Sequence, residues 1–346
     1  MRDDQAAALG APKTPPPRAL PSVGASTPAH ESAASAARGG GACVIALDVG
    51  GTVIKGGLVS RDSRFVFADR RPARRDRGPA AVSEGVVAFA DDLRRVAENR
   101  GLTPEAAGVV VPGIVDATGG TRSANLGWRD LPLRRLVRER LGLPVVLDHD
   151  VRAGALAEGR IGAAEGRDAF VFLALGTGVS GALVAGGRAY AGSHGRAGEI
   201  GHTLVRPGGS RCGCGARGCL EAEVSGPAVA RRYAEAVPGA RATAADVAAR
   251  AEAGDAVAQR VWHDAVSVLA DGVLTAQALF DTPLVVIGGG LSRAGETLLA
   301  PLRAMLAERA TFHVVPDVAA ATLGDNAGCH GAALLAWDAV DAAVAR

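Results

Sequence analysis

Residues 194–221 read HGRAGEIGHTLVRPGGSRCGCGARGCLE and contain three of the five cysteines of the chain. Glycines separate Cys212, Cys214 and Cys219, and they allow the tight backbone turns that bring three sulfur atoms together. His202 can supply a fourth ligand, and three thiolates with one imidazole are typical of a closed, structural zinc site. The alternative is three reduced thiols on a glycine-rich loop, but free thiols require no such spacing. The sequence therefore predicts a zinc-stapled loop.

Two carboxylates flank this loop, Glu199 on its amino-terminal side and Glu221 just after the last cysteine. A metal that fixes the loop would also fix the direction in which these carboxylates point. This indicates a polar ligand pocket for which the metal is the scaffold. The alternative is that both are ordinary solvated loop carboxylates.

The composition of the 346-residue chain is that of a globular protein large enough for two domains. Its net charge of +2 offers no extended field that would attract nucleic acid or a membrane. An odd number of cysteines, most of them clustered, favours a metal site in a reducing compartment over a disulfide framework. Residues 1–40, rich in Ala, Pro, Ser and Gly, are predicted to be a disordered tail without a signal peptide. Because no eighteen apolar residues occur together, the sequence predicts a cytoplasmic protein.

Two glycine-rich turns that follow apolar strands indicate phosphate binding. The strand predicted at 43–47 leads into Asp48-Val-Gly-Gly-Thr52, and the strand at 170–175 leads into Gly176-Thr-Gly178. In such turns, backbone N–H groups and a threonine hydroxyl can contact phosphate oxygens, and an aspartate can hold a metal-bound water. Taken alone, such a turn is equally typical of a simple tight turn, and it lacks the Gly-Lys-Ser/Thr end of a P-loop. The likeness of the two units indicates an internal repeat.

The remaining hydrophobic pattern alternates between strands and helices. It predicts a hairpin around 61–63, buried strands at 108–115, 144–147 and 284–287, and helices at 82–96, 131–141, within 225–280 and at 328–345. Alternation of this kind predicts an α/β fold with a parallel sheet that is covered on both faces.

These motifs together resemble the ROK family of sugar kinases and transcriptional repressors over about residues 43–340. The motifs that carry the resemblance are Asp48-Val-Gly-Gly-Thr52, Ala124-Asn125-Leu126, Asp148-His149-Asp150, Leu175-Gly-Thr-Gly178, Gly198-Glu-Ile-Gly-His202, the three-cysteine loop with Glu221, and Ile287-Gly-Gly-Gly290. The resemblance implies an actin-like, ribonuclease-H-like fold with two domains hinged over a cleft. It implies an N-terminal α/β domain at 41–155, completed by the C-terminal helix at about 328–346, and a C-terminal α/β domain at 156–327 that carries the zinc loop.

The resemblance also implies an ATP-dependent sugar kinase that uses Mg²⁺ and forms a homodimer. Asp150 would be the general base that takes the proton of the sugar hydroxyl, whereas without the resemblance a helix N-cap is the simpler role. His202 would give one ring nitrogen to zinc and the other to the sugar. The implied sugar contacts are Gly113, Asn125, Asp150, Glu199, His202 and Glu221. The implied ATP contacts are Asp48, Gly50, Gly51, Thr52, Lys55, Gly176, Thr177, Gly178, Gly288, Gly289 and Gly290.

Two departures from the family pattern concern the reaction and the substrate. The family usually has Asn-Asp-Ala-Asn where this chain has His149-Asp-Val-Arg152, so the bonding near the base must differ. Ala222-Glu223 stands where glucose-preferring kinases often have Gln-Tyr, which predicts more room and a carboxylate near Glu221. The runs at 124–132 and 149–152 also resemble those of actinobacterial members of the family that handle N-acetylglucosamine. Together these features favour 6-phosphorylation of N-acetylglucosamine, with glucose next and N-acetylmannosamine third.

Two other functions are alternatives to a kinase. A sugar-responsive transcriptional repressor would need a helix-turn-helix ahead of the kinase-like body, and residues 1–40 are too rich in proline to form one. A non-catalytic, zinc-stapled sugar-binding protein is the other alternative. A coupled ADP-release assay with a panel of hexoses distinguishes it from an enzyme.

Overall fold

The computed structural model describes residues 41–116 and 118–345, and the predicted disordered tail at residues 1–40 lies outside this part of the chain. The strands are β1 (Ala42–Val49), β2 (Val53–Val59), β3 (Phe65–Pro72), β4 (Thr103–Val111), β5 (Ile114–Val115), β6 (Thr121–Ser123), β7 (Trp128–Leu131), β8 (Val145–His149), β9 (Phe170–Leu175), β10 (Val179–Ala185), β11 (Arg188–Ala189), β12 (Leu284–Gly288) and β13 (Asp317–Ala320). The helices are α1 (Pro79–Asn99), α2 (Leu133–Leu141), α3 (Asp150–Ile161), α4 (Leu220–Val224), α5 (Gly226–Ala236), α6 (Ala244–Glu252), α7 (Ala256–Phe280), α8 (Glu296–Arg309) and α9 (Ala327–Val344).

The two large sheets have the same topology. Their strand orders are β3-β2-β1-β4-β8 and β11-β10-β9-β12-β13, and β5-β6-β7 form a third, small sheet. In each large sheet the first three strands of the unit pair antiparallel, and the last two join in parallel. Both sheets are therefore mixed, and the prediction of a parallel sheet is wrong for the first three strands, because the two strands that flank each glycine-rich turn form a hairpin. Both glycine-rich turns connect the first and second strands of their units. The internal repeat that the sequence indicates is therefore confirmed in the topology.

Helices α3 and α9 pack against each other between the two sheets. Apolar residues of β1 and β4 form one core cluster with small side chains of α3 and α9, and α3 contributes to a second cluster with β9, β10 and β12. The approach is close enough to require glycine, because a Cβ on Gly108 would lie 1.9 Å from the backbone oxygen of Ala332. The C-terminal helix therefore packs on the first sheet, although the domain boundaries at 155 and 328 stay a prediction.

The helices form where apolar residues recur on one face. In α1, the predicted core positions Val82, Val86, Phe89 and Leu93 are all buried. In the 25-residue α7, the Asp255 carboxylate caps the amino terminus by accepting hydrogen bonds from two backbone amides of the first turn. Within the described residues, no helix combines the length and the apolar character that crossing a membrane requires.

The single strand predicted at 108–115 is two strands in the structure. β4 ends at Val111, and Ile114–Val115 belong to the small sheet instead. Gly113 turns the chain between them with a φ of 102°, a conformation that other residues rarely adopt. The apolar run continues through this turn, which is why periodicity alone did not reveal it.

Candidate active site

The first glycine-rich turn presents Asp48 at the end of β1. Its carboxylate lies 3.6 Å from Lys55 Nζ on the neighbouring strand, and the same Nζ donates a hydrogen bond to the backbone oxygen of Asp325 at 2.6 Å. A Cβ on Gly328 would lie 2.7 Å from the Asp48 carboxylate, so only glycine leaves space for it at the start of α9. Two predicted ATP contacts, Asp48 and Lys55, thus lie together.

Two further carboxylates act on Asp48 in this region. Burial raises the pKa of Asp48 to about 6, and although Lys55 opposes the rise, Asp150 and Asp325 add to it. Sequence reasoning missed Asp325. The sequence signal for Asp325 is the turn Gly324–Asn326, which follows β13, the last strand of the second sheet. In the first unit, an acid likewise follows a strand.

Asp150 is the first residue of α3, directly after the last strand of the first sheet. The helix N-cap is His149 rather than Asp150, since the Val151 amide donates to His149 Nδ1 at 3.2 Å. The N-cap role considered for Asp150 is therefore wrong, although its Oδ1 also accepts from the Val151 amide at 2.8 Å. Burial lowers the pKa of His149 to about 4, so the ring is neutral and Nδ1 can accept a hydrogen bond.

The Asp150 carboxyl is largely enclosed, with 30% of its side-chain surface accessible. Burial raises its pKa to about 6, while the Val151 amide and the Arg152 guanidinium act in the opposite direction. A carboxylate with this pKa is ionised near neutral pH, yet it is more basic than an exposed aspartate. Such a group is suited to accepting a proton from a hydroxyl.

The second glycine-rich turn is held by Glu221. The Val179 amide donates to Glu221 Oε2 at 3.0 Å, and a Cβ on Gly178 would lie 2.6 Å from that oxygen. The Gly176 backbone oxygen accepts from the Gly226 amide at 2.8 Å. A predicted sugar contact, Glu221, is therefore in direct contact with a predicted phosphate turn. This contact argues against the alternative that Glu221 is an ordinary solvated loop carboxylate.

A cavity of about 750 Å³ lies beside this turn. Gly176 and Thr177 line one side, Gly290 lines another, and α5, α6 and Trp262 complete the wall. Gly289 has a φ of 80°, and a Cβ there would lie 2.4 Å from the Leu175 backbone oxygen. The chain therefore passes close to β9 at this point, and the mostly apolar cavity beside it stays open. The helical wall was not predicted, because it comes from three separate segments.

The predicted zinc ligands converge. The ligand atoms of His202, Cys212, Cys214 and Cys219 all lie within 4.8 Å of one another. The Sγ atoms of Cys214 and Cys219 are 3.7 Å apart, and Cys212 Sγ lies 3.7 Å from His202 Nδ1. Isolated β-bridges, Leu204 with Cys219 and Arg211 with Arg217, hold the two arms of the loop together.

This donor set fits Zn²⁺. Bonds of about 2.3 Å to a tetrahedral ion place its ligand atoms roughly 3.8 Å apart, which is close to the two distances above. Burial raises the pKa of the Cys219 thiol, so this side chain requires a cation to be held as a thiolate. A closed Cys₃His set of this kind could form a structural zinc site.

The two ring nitrogens of His202 point to different groups. Nδ1 lies against Cys212, whereas Nε2 is 3.9 Å from a carboxylate oxygen of Glu199. The remaining carboxylate near the cluster, that of Glu221, has Oε1 3.8 Å from Cys212 Sγ. The metal cluster therefore brings together three of the predicted sugar contacts: Glu199, His202 and Glu221.

Glu223 does not lie where the sequence analysis predicts. Its side chain is buried, and Oε1 accepts from the Ser210 amide at 2.7 Å while Oε2 lies 3.4 Å from Arg206 Nη1. Ala222 is also buried, and it packs against Cys212 and Cys219. The prediction of an extra carboxylate beside Glu221 is therefore wrong, because Glu223 anchors the backbone of the metal loop. The reason is helical: Glu221 and Glu223 are two positions apart in α4, and side chains at that spacing on a helix do not face each other.

The remaining predicted sugar contacts belong to the small sheet. Gly113 packs against β6, since a Cβ there would lie 2.4 Å from the Arg122 backbone oxygen. Asn125 lies exposed in the turn between β6 and β7. Within residues 41–116 and 118–345, no hydrogen bond of its side chain to another predicted site residue is present. Its predicted role as a sugar contact therefore rests on the resemblance and not on a contact with the other predicted site residues.

Comparison with known proteins agrees with this architecture. A family model described as "ROK family" matches residues 44–339. The chain belongs to the ROK family. This confirms both the resemblance on which the sequence analysis rests and the fold class that it implies.

Several ROK relatives have assigned activities. A glucokinase of Halalkalibacterium halodurans is 33% identical over 311 residues, which cover 83% of this chain and 92% of the relative. An N-acetylmannosamine kinase of Shigella boydii is 35% identical over 294 residues, or 84% of this chain and 97% of the relative. A crystal structure of a ROK family glucokinase from Streptomyces griseus, in complex with glucose and AMPPNP, superposes with a TM-score of 0.73 at 32% identity. That match covers 86% of this chain and 99% of the other.

Proposed function

We propose that this ROK protein is an ATP-dependent hexose kinase that phosphorylates the 6-hydroxyl of N-acetylglucosamine or glucose. The observation that carries the proposal is the Asp150 carboxyl, enclosed at the end of the first sheet with its pKa raised to about 6. The names of the relatives, glucokinase and N-acetylmannosamine kinase, support the reaction class.

In the proposed reaction, Asp150 accepts the proton of the 6-hydroxyl as that oxygen bonds to the γ-phosphorus of ATP. The bond from that phosphorus to the β,γ-bridging oxygen breaks, and ADP leaves. Phosphoryl transfer depends chiefly on alignment and charge neutralisation, so one well-placed carboxylate suffices as the base. His149 remains neutral and caps α3, which keeps the backbone of Asp150 fixed. Glu199, His202 and Glu221 bind the ring hydroxyls, with Asn125 and Gly113 completing the pocket.

ATP would bind between the two glycine-rich turns, with its adenosine in the cavity bordered by Thr177 and Gly290. Mg²⁺ bound to the phosphates supplies charge neutralisation, and Asp48 would hold it through water. Lys55, which Asp325 fixes by its backbone oxygen, would contact the phosphates. The Gly51 and Thr52 groups would donate to the phosphates from the first turn, and the Gly178 amide from the second. The predicted contacts Gly50 and Gly176 do not donate in this way, because their amides already donate to the backbone oxygens of Val53 and Gly178 at 3.0 and 2.9 Å.

The structure removes one of the sequence arguments for N-acetylglucosamine over glucose. The argument from Ala222 and Glu223 no longer supports an acetamido pocket, because both side chains face the metal loop. The run at 124–132, which resembles that of actinobacterial members that handle N-acetylglucosamine, still favours that sugar. The Streptomyces griseus relative, a glucokinase in complex with glucose, favours glucose. We therefore retain both sugars in the proposal.

A substrate panel tests this function. With MgATP, we expect ADP release with glucose and with N-acetylglucosamine. The kcat/KM values for the two sugars should differ by at most about 200-fold, because one substituent in a tolerant pocket contributes only about 1–3 kcal/mol. N-acetylmannosamine is the third test sugar. Absence of ADP release with all three would reject the proposal. If calorimetry then still detected sugar binding, the protein would be a non-catalytic sugar-binding protein.

The pH dependence of the reaction follows from the raised pKa of Asp150. Its ionised form, the active base, predominates above pH 6 and declines below it. We therefore expect kcat/KM for the sugar to fall as the pH is lowered through about 6, approaching tenfold for each further unit. Asp48 titrates in the same range and adds to the fall. Circular dichroism at each pH is the control for unfolding, and a flat profile down to pH 5 would contradict Asp150 as the base.

A reducing, cytoplasmic location is part of the proposal, because four-coordinate zinc requires its cysteines as thiolates rather than disulfides. All five cysteines are free in the structure. The homodimer implied by family resemblance stays a prediction.

A further inference from the structure

Residues 191–198 form a strap that extends from the second sheet to the small sheet and back. The strap begins just after β11, and its base is closed by a hydrogen bond from the Ala197 amide to the Ala191 backbone oxygen at 3.1 Å. Its end is fixed to β10, where the Gly181 amide donates to the Gly198 backbone oxygen at 2.8 Å. Glu199 follows directly. The conformation of the strap therefore determines where this proposed sugar contact lies.

The tip of the strap is Gly195, which touches two parts of the molecule. Its φ is 68°, and a Cβ would lie 2.6 Å from the Val115 backbone oxygen in β5. The Gly195 backbone oxygen accepts a hydrogen bond from Arg152 Nη1 at 3.0 Å. The tip is thus held by one close backbone contact and by one charged donor.

Arg152 is suited to this contact because its guanidinium is buried and its position is fixed. Only 4% of its side-chain surface is accessible. Nε donates to Asp148 Oδ1 at 2.9 Å, and Nη2 donates to the same oxygen. The planar fork therefore binds Asp148 with one edge and Gly195 with the other. The short amide usual at this position in the family lacks the length and the number of donors to do both.

We infer that Arg152 is a positioning residue that holds the strap against the catalytic helix and so orients Glu199 toward the sugar. This inference rests on the proposed kinase function. Arg152 touches no reacting atom in the proposed mechanism. Apart from its charge, which opposes the rise in the pKa of Asp150, it acts through Gly195 and the backbone that leads to Glu199. It therefore affects binding of the sugar more than binding of the nucleotide, whose cavity is lined by other segments.

The test measures sugar binding, nucleotide binding and the exposure of the strap. In Arg152→Ala, we expect the sugar KM and the calorimetric Kd to rise at least tenfold, the loss typical of a charged hydrogen bond, with the KM for ATP changed less than about threefold. Trypsin should cleave faster after Arg196, an exposed residue of the strap, because release of the tip exposes its backbone. Mass spectrometry identifies that cleavage.

Three further variants separate the strap contact from a loss of charge or of folding. Gly195→Ala leaves Arg152 intact but forces the tip away from β5, and we expect a similar rise in sugar KM. The double variant, Arg152→Ala with Gly195→Ala, should have a sugar KM at most about threefold above that of the weaker-binding single variant. The reason is that both substitutions release the same tip of the strap. Arg152→Lys keeps the positive charge but not the fork, so it should not restore sugar binding.

Arg160→Ala is the matched control, because Arg160 lies on the same helix and pairs only with exposed Asp338. It should leave all three readouts unchanged. A sugar KM within threefold of wild type in Arg152→Ala, full recovery in Arg152→Lys, or fully additive effects in the double variant would each overturn the inference. If the wild type phosphorylated no sugar, the proposed function would fail, whereas proteolysis after Arg196 would still test the strap.

Discussion

Replacement of Asp150 by Asn is expected to lower kcat by about 10²–10⁴-fold while sugar affinity changes little. The amide is isosteric with the carboxylate and can still contact a hydroxyl, but it cannot accept the proton. Its two neighbours at the end of β8 do not replace it, since His149 is neutral with its Nδ1 engaged in the helix cap and Asp148 is bound by Arg152. The measurement is ADP release under saturating sugar and ATP, with sugar affinity determined by calorimetry.

The same variant should be at least as stable as the wild type above pH 6. Folding raises the pKa of Asp150 from 3.8 to about 6, so the folded state binds its proton more tightly than the unfolded state. The stabilisation from that proton is fully present below pH 3.8 and is lost as the pH rises through 6. At pH 8, the Asp150→Asn variant avoids the free-energy cost of burying an ionised carboxylate. That cost is at most about 3 kcal/mol, and it is reduced because solvent screens the accessible part of the carboxyl.

Activity and stability together identify a catalytic base. Asp338→Asn is the control, because it removes a carboxylate that contacts the same helix at an exposed ion pair. We expect it to retain kcat within about twofold and to change stability by less than about 0.5 kcal/mol. Near-normal turnover of Asp150→Asn would contradict the assignment. An inactive variant that was also strongly destabilised would leave loss of folding as the cause and would equally contradict it.

Replacement of a predicted zinc ligand is expected to have the second largest effect, on folding stability and on sugar affinity. Purified protein should contain about one zinc per chain, and Cys214→Ala should lose it together with several kcal/mol of folding stability. Sugar affinity should fall by about tenfold or more, because His202 and the loop that precedes Glu221 lose their orientation. Metal analysis, thermal unfolding and calorimetry measure the three quantities.

Cys214 is the informative ligand because it is exposed in the structure, unlike Cys212 and Cys219. Its replacement leaves the packing of the core unchanged, so a loss of stability reports the metal. Cys43→Ala is the matched control: it removes a buried thiol of β1 far from the loop and should keep full zinc content. Fully active protein with much less than one zinc per chain would rule out this role.

Local patterns in the sequence were sufficient for much of the fold. The strands before both glycine-rich turns, the helical face of α1 and the cysteine spacing depend on neighbours within a few residues, where periodicity and glycine placement are informative. The likeness of the two turns also predicted the repeated topology. For the same reason, the sequence predicted which four residues converge in the candidate metal site, since all of them belong to one short stretch of chain.

Tertiary structure alone decided which way individual side chains point. Glu223 binds the metal loop instead of lying beside Glu221, because α4 directs it toward Ser210 and Arg206. Gly113 ends β4 within an unbroken apolar run, since its contact is with the Arg122 backbone of a later strand.

The bonding around Arg152 shows the same limit most clearly. The sequence marked this residue only as a departure from a family pattern, whereas the structure joins it to Gly195, 43 positions along the chain. Contacts at such separations depend on how two sheets and the helices between them pack, and that packing is a property of the whole chain. Residue types and spacing therefore determined which chemistry is available, and tertiary structure determined which of these groups meet.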